Sequence, residues 1–77
     1  MKTVQICLNS IDKVKAFVND ITKFDTDFDI VSGRYVIDAK SIMGIFSLDL
    51  SKSIDLCIHA DESNIDEILE VLKPYLV

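Results

Sequence analysis

Phe28-Asp29-Ile30-Val31-Ser32-Gly33-Arg34-Tyr35-Val36-Ile37 lies near the middle of a 77-residue chain. Two short runs rich in aromatic and β-branched residues flank Ser32-Gly33. Glycine tolerates positive φ, so this pattern predicts strand, tight turn and strand. Upstream, Thr3 to Leu8 alternates: Val4, Ile6 and Leu8 would face a core, and Thr3, Gln5 and Cys7 would face away. That is a half-buried strand. Ser10 then offers an N-cap. Ile11, Val14, Phe17, Val18, Ile21 and Phe24 recur at steps of three and four, the stripe of an amphipathic helix. Asp12 in its first turn and Lys23 in its last suit the helix dipole.

Downstream, Ser41 is a second N-cap candidate, and a short helix is expected from about Ile42 to Asp49, weakened by Gly44. Ser53 to His59 alternates again, with Ile54, Leu56 and Ile58 inward and Asp55, Cys57 and His59 outward. Ser63 with Asp66 forms a capping-box pattern for a third helix. The apolar face of that helix is Ile65, Ile68, Leu69 and Leu72, and Pro74 marks its end. The order is β-α-β-β-α-β-α, which contains a split β-α-β arrangement. It predicts an α+β fold with one four-stranded antiparallel sheet and three helices on one face, an open-faced sandwich. Alternation in the strands supports a wet second face.

Length allows one domain, 1–77, with no linker and second core. Eight Lys+Arg against 13 Asp+Glu leave a net charge of −5. A nucleic-acid partner is disfavoured, because phosphate binding needs a basic face. No apolar run approaches the ~20 residues of a membrane span, and the first residues lack a signal-peptide apolar block. Two cysteines without a metal spacing imply free thiols in a reducing cytoplasm. Hydrophobic residues make up 49% of the chain, yet a domain this small buries only about 60% of its unfolded surface. Uncovered apolar surface is therefore expected.

Several clusters invite chemical readings. Asp25, Asp27 and Asp29 start like an EF-hand loop, but Ile30 and Val36 occupy the positions that need Gly and Glu. A solvated acidic turn is the better reading. Cys7, Cys57 and His59 share the predicted open face. If the first and last strands pair, the two thiols could approach one another, and a soft-metal or small-molecule site there stays an alternative. No bound metal or cofactor is otherwise called for. On the second helix, Ile42, Met43, Ile45, Phe46 and Leu48 spread over roughly 220°, against the ~100° that suffices to face a core. Some of Ile42, Met43 and Phe46 should stay exposed as a docking surface.

Lys40-Ser41-Ile42-Met43-Gly44-Ile45, followed by Ser47-Leu48 and Ser51-Lys52, resembles HPr, the phosphocarrier family of the bacterial sugar phosphotransferase system. Lys23-Phe24 looks like the end of that family's first helix. Arg34-Tyr35-Val36 looks like its third strand, and Ile54 to His59 like its fourth. The element order is also the HPr order. The resemblance implies a carrier or regulatory protein rather than a catalyst. It departs at the phosphate-accepting loop, Gly-x-His-x-Arg-Pro in the family. Here Leu8-Asn9-Ser10-Ile11-Asp12-Lys13 stands instead, about three residues shorter. Ser10 falls near the histidine position and Asp12 near the arginine position, so no catalytic residue is assigned.

Ser41 matches the serine that a dedicated kinase phosphorylates in many Gram-positive members, and a cap alone also accounts for it. Ile42, Met43 and Phe46 match the family's contact patch. The resemblance thus implies an HPr-like module that lacks histidine phosphocarrier activity. It would bind proteins of the phosphotransferase system or a catabolite-control regulator, and Ser41 could switch it. A working carrier with a non-standard acceptor, His59 or a Ser10 ester, stays the alternative, as does a permanent interface at the second helix.

Overall fold

The computed structural model describes residues 2–77. Its elements are β1 (Lys2–Ile6), α1 (Ile11–Thr22), β2 (Asp27–Ser32), β3 (Tyr35–Asp38), α2 (Ile42–Phe46), β4 (Ile54–His59), α3 (Glu62–Leu72) and a 3-10 turn at Lys73–Tyr75. The sheet order is β1-β4-β2-β3, and every neighbouring pair is antiparallel. β1 and β2 therefore run parallel without touching, and β4 fills the gap between them. This is the split β-α-β arrangement expected from the sequence.

The core lies between the sheet and the three helices. β4 alternates strictly, with Ile54, Leu56 and Ile58 buried between half-buried or exposed neighbours. Ile6, Phe28 and Ile30 extend that buried row across β1 and β2, and Val14, Phe17, Ile21, Ile45, Ile68 and Leu72 meet it from the helices. Each such side chain contributes about 1.5–3 kcal/mol by leaving water. The opposite face carries Thr3, Gln5, Asp27, Asp29, Asp38, Asp55 and His59, with Cys57, Val31 and Val36 among them.

The hairpin differs by one residue from expectation. Ser32 pairs with Tyr35, so Gly33-Arg34 form the two-residue loop. Gly33 has φ 60, and among the described residues no other residue type has positive φ. A positive φ at the first loop position alone is the type II′ arrangement, whose twist matches the flanking strands. The register thereby places Ile30 opposite Ile37, both directed at the helices.

Other boundaries shift for local reasons. β1 ends at Ile6, although Leu8 is still fully buried. α2 stops at Phe46 rather than Asp49, and it is closed by the Ser47 N–H on the Gly44 carbonyl and the Leu48 N–H on the Ile45 carbonyl. Ile11, placed in the α1 stripe by periodicity, is 61% exposed because it opens the helix at its solvent end. The capping box at Ser63 does not form. α3 begins two residues earlier, at Glu62, with Asp61 rather than Ser63 as N-cap and no side-chain cap bond. A main-chain bond from Asn64 N–H to the Asp61 carbonyl, 2.9 Å, closes the first turn instead.

Candidate functional site

Two exposed serines begin two helices in the same way. Ser10 is extended (φ −148, ψ 157), and its Oγ accepts from the Lys13 N–H at 3.1 Å. Ser41 is also extended, and its Oγ accepts from the Gly44 N–H at 3.2 Å. Each hydroxyl thus satisfies one of the helix's free donors. Their surroundings differ. Asp12 occupies the first turn of α1 and already compensates the positive helix end. The first turn of α2 has no acidic residue.

Gly44 is shaped to the second cap. A Cβ there would lie 3.2 Å from Ser41 Oγ and 3.4 Å from Ile37 Cδ1, so a larger residue would press on the capping hydroxyl. Lys40, just before the cap, is turned inward. Its Nζ donates to the Phe24 carbonyl at 2.9 Å, and it lies 5.8 Å from the centre of the Phe28 ring. Its backbone N–H bonds Asp38 Oδ1 at 2.9 Å. Lys40 therefore ties the α2 entry to the end of α1, and the hydroxyl of Ser41 faces solvent beside it.

The surface of α2 continues from this cap. Ile45 is fully buried and anchors the helix, whereas Met43 is 78% and Phe46 39% exposed. Ile42 is half-buried and packs against the core. Ile42 and Phe46 stand one turn apart, so these residues form one apolar strip on the solvent side.

The three open-face residues considered for metal do not converge. Cys57 pairs with Thr3 across β1 and β4, and its Sγ lies 3.6 Å from Thr3 Oγ1. Cys7 is four residues beyond Thr3, about 14 Å along the strand direction. Beyond the end of β1, its N–H bonds the Tyr75 carbonyl at 2.8 Å. Among the described residues no set of three His, Cys, Asp or Glu side chains is arranged to hold a metal ion.

His59 instead bonds Asp29 on β2, Nε2 to Oδ2 at 2.8 Å, and sits directly across from Asp27. Strand parity identifies the face but not the register, so the carboxylate partners of His59 escape a reading of the sequence. The register of β4 against β2, which pairs Asp27 with His59, supplies them. His59 also lies at the Lys2 end of the β1–β4 pair, whereas Ser10 follows the Ile6 end.

The family description PTS HPr component phosphorylation site matches residues 13–76. The chain belongs to the HPr family. HPr-C-His from Thermoanaerobacter tengcongensis is similar in structure, with a TM-score of 0.77 and 27% identity over 96% of this chain and 89% of that one. The phosphocarrier protein HPr of Bacillus anthracis has a TM-score of 0.71 and 29% identity over 99% and 94% of the two chains. A histidine-containing phosphocarrier protein of Mycoplasma, with a TM-score of 0.73 and 12% identity over 95% and 89%, shares the fold. HPr proteins are phosphocarriers of the phosphotransferase system and interact with its proteins; they are not catalysts themselves. In this HPr chain the family match begins at Lys13, so Ser10 lies just outside it and Ser41 well inside. No helix among the described residues is long and apolar enough to cross a membrane.

Proposed function

We propose that this HPr-family chain is a cytoplasmic protein-binding module of the phosphoenolpyruvate-dependent sugar phosphotransferase system. It docks through Ile42, Met43 and Phe46, it does not carry phosphate on histidine, and Ser41 is its phosphorylation site. Its partners are proteins of that system or a catabolite-control regulator. The observation that carries this reading is the contrast between two helix starts. The α2 start keeps the exposed Ser41 cap beside the exposed Met43 and Phe46. The α1 start has Ser10 near the position where the family places its histidine, and Asp12 near that of the family's arginine. A carboxylate there repels a phosphoryl group, whereas the arginine would pair with it. A phosphate on Ser41 would meet a first helical turn that holds no acidic residue.

His59 is a poor substitute acceptor. Asp29 holds its Nε2 at 2.8 Å, and Asp27 stands across from it, so an incoming phosphoryl group would meet carboxylates on both sides. Incubation with phosphoenolpyruvate and the first enzyme of the system should leave the chain unlabelled; an acid-labile phosphohistidine would overturn the reading. Incubation with the serine kinase and ATP should label the parent chain but not Ser41→Ala. Failure to label the parent removes Ser41 as the phosphorylation site and leaves the docking surface to be tested separately.

A further inference from the structure

The sheet has two edges, and the chain treats them differently. β1 is covered: the Val77 N–H bonds the Gln5 carbonyl at 3.2 Å, the Cys7 N–H bonds the Tyr75 carbonyl at 2.8 Å, and Ile6 forms a bridge with Leu76. β3, at the other edge, has no strand beyond it among the described residues. The Ala39 N–H bonds the Phe28 carbonyl at 2.9 Å, which fixes the phase of the β2–β3 ladder. In an antiparallel ladder alternate residues turn their backbone to the partner. Ala39, Ile37 and Tyr35 therefore bond toward β2, and the N–H and C=O of Val36 point away from the sheet.

This free edge is apolar in its middle. Tyr35 is 68% and Val36 66% exposed. Exposed edges are usually guarded by a central charge, a proline or a bulge, and none interrupts Tyr35-Val36-Ile37. The flanking charges are of opposite sign, Arg34 before and Asp38 after. Arg34, the only arginine of the chain, makes no ion pair among the described residues.

We propose that β3 is a self-association edge, at which a second copy of this chain adds its own β3 antiparallel about a two-fold axis at Val36. Centred there, the strand is complementary to itself. Val36 meets Val36 of the second copy, and the two exchange both backbone hydrogen bonds. Tyr35 meets Ile37 on the helix face, an aromatic and β-branched cross-strand pair. Arg34 of each copy, in the loop just before β3, comes beside Asp38 of the other, twice by symmetry. A two-fold contact requires this kind of reciprocal match. The product is a continuous eight-stranded sheet. One short strand pair buries well under the roughly 1,200 Å² of a stable interface, so the dimer is weak and concentration-dependent. The contact does not rest on the reading of Ser41 or of α2.

Sedimentation equilibrium of the full chain from micromolar to millimolar concentration is the test, at 0.15 M salt so that repulsion between two acidic chains is screened beyond about 8 Å. The weight-average mass should rise with concentration from 8.7 kDa toward twice that value. Val36→Pro and Val36→Lys should both remain monomeric and folded, because the Val36 N–H is not used within the monomer. Arg34→Asp alone and Asp38→Arg alone place like charges opposite one another and should each be monomeric. Mixed together, the two single variants should associate again, because each then supplies the charge that the other lacks. A parent chain that stays monomeric at millimolar concentration overturns the proposal. So does association that survives Val36→Pro, association lost on Met43→Glu instead, or a failure of the mixed variants to associate.

Discussion

Tyr75 closes the core from the C-terminal side. Its ring meets Phe17 edge-on, with centroids 5.5 Å apart at 82°, and its hydroxyl donates to Asp20 Oδ2 at 2.8 Å. Burial, and then the hydrogen bond to Asp20 and its charge, push the phenol up to about 12. The fold thus favours the neutral phenol, which in the unfolded chain ionises near 10. Because the folded value is the higher, this contribution is complete below about pH 10 and is lost as pH rises through 12. Tyr75→Phe should cost about 1 kcal/mol at pH 7. It should also flatten the fall in stability between pH 10 and 12, as followed by urea titrations at stepped pH. A variant with the parent's alkaline profile would deny the phenol this role.

The serine caps act at the same scale. Ser10→Ala should lose about 1 kcal/mol in the same urea titrations, since the Lys13 N–H then has no partner in the chain. Ser10 and Ser41 were legible as caps because a cap is a contact three residues long. The Tyr75–Asp20 and His59–Asp29 pairs were not, being 55 and 30 residues apart in sequence. No periodicity encodes which titratable side chains a fold brings together. The Ser63 capping box shows that a local signal can be overridden: the pattern marks Ser63, and the helix starts from Asp61 instead.

At the scale of elements, α2 is the informative case. Five residues are too few for a helix to persist alone, so α2 exists because Ile45 is seated in the core and Ser41 caps it. The apolar arc wider than one buried face was legible from spacing alone, and it correctly implied that part of the helix stays wet. Which part does so depends on how the helix rolls against β3, and Ile42 came out half-buried where Met43 did not. Ile45→Ala should cost about 2–5 kcal/mol. Met43→Glu should change stability by no more than about 0.5 kcal/mol, as measured by thermal or urea unfolding. If the docking surface lies on α2, the same Met43→Glu chain should lose partner binding in calorimetric titration against a phosphotransferase-system protein. Retained affinity would place the docking surface elsewhere.

For the molecule as a whole, the alternating strands and the central hairpin made the four-stranded fold legible, but not how its edges are finished. Alternation reports two faces of a strand; it says nothing about the third direction, the hydrogen-bonding edge. The covering of β1 comes from residues after Pro74, where the sequence shows only the end of a helix. Leu76 is half-buried and bridges Ile6, and the Val77 N–H bonds Gln5. Deleting Leu76 and Val77 removes that bridge and the burial of one leucine, and leaves the Cys7–Tyr75 bond in place. The cost should be about 1–2 kcal/mol, seen as a lower urea midpoint. The second consequence is colloidal. The shortened chain presents an unpaired edge on both sides of its sheet, so strands can add from either side rather than closing as a dimer. Light scattering should then show open-ended association that Val36→Pro reduces but does not abolish, because the β1 edge remains free. Unchanged stability together with unchanged scattering would mean that the C-terminal pairing does not protect β1.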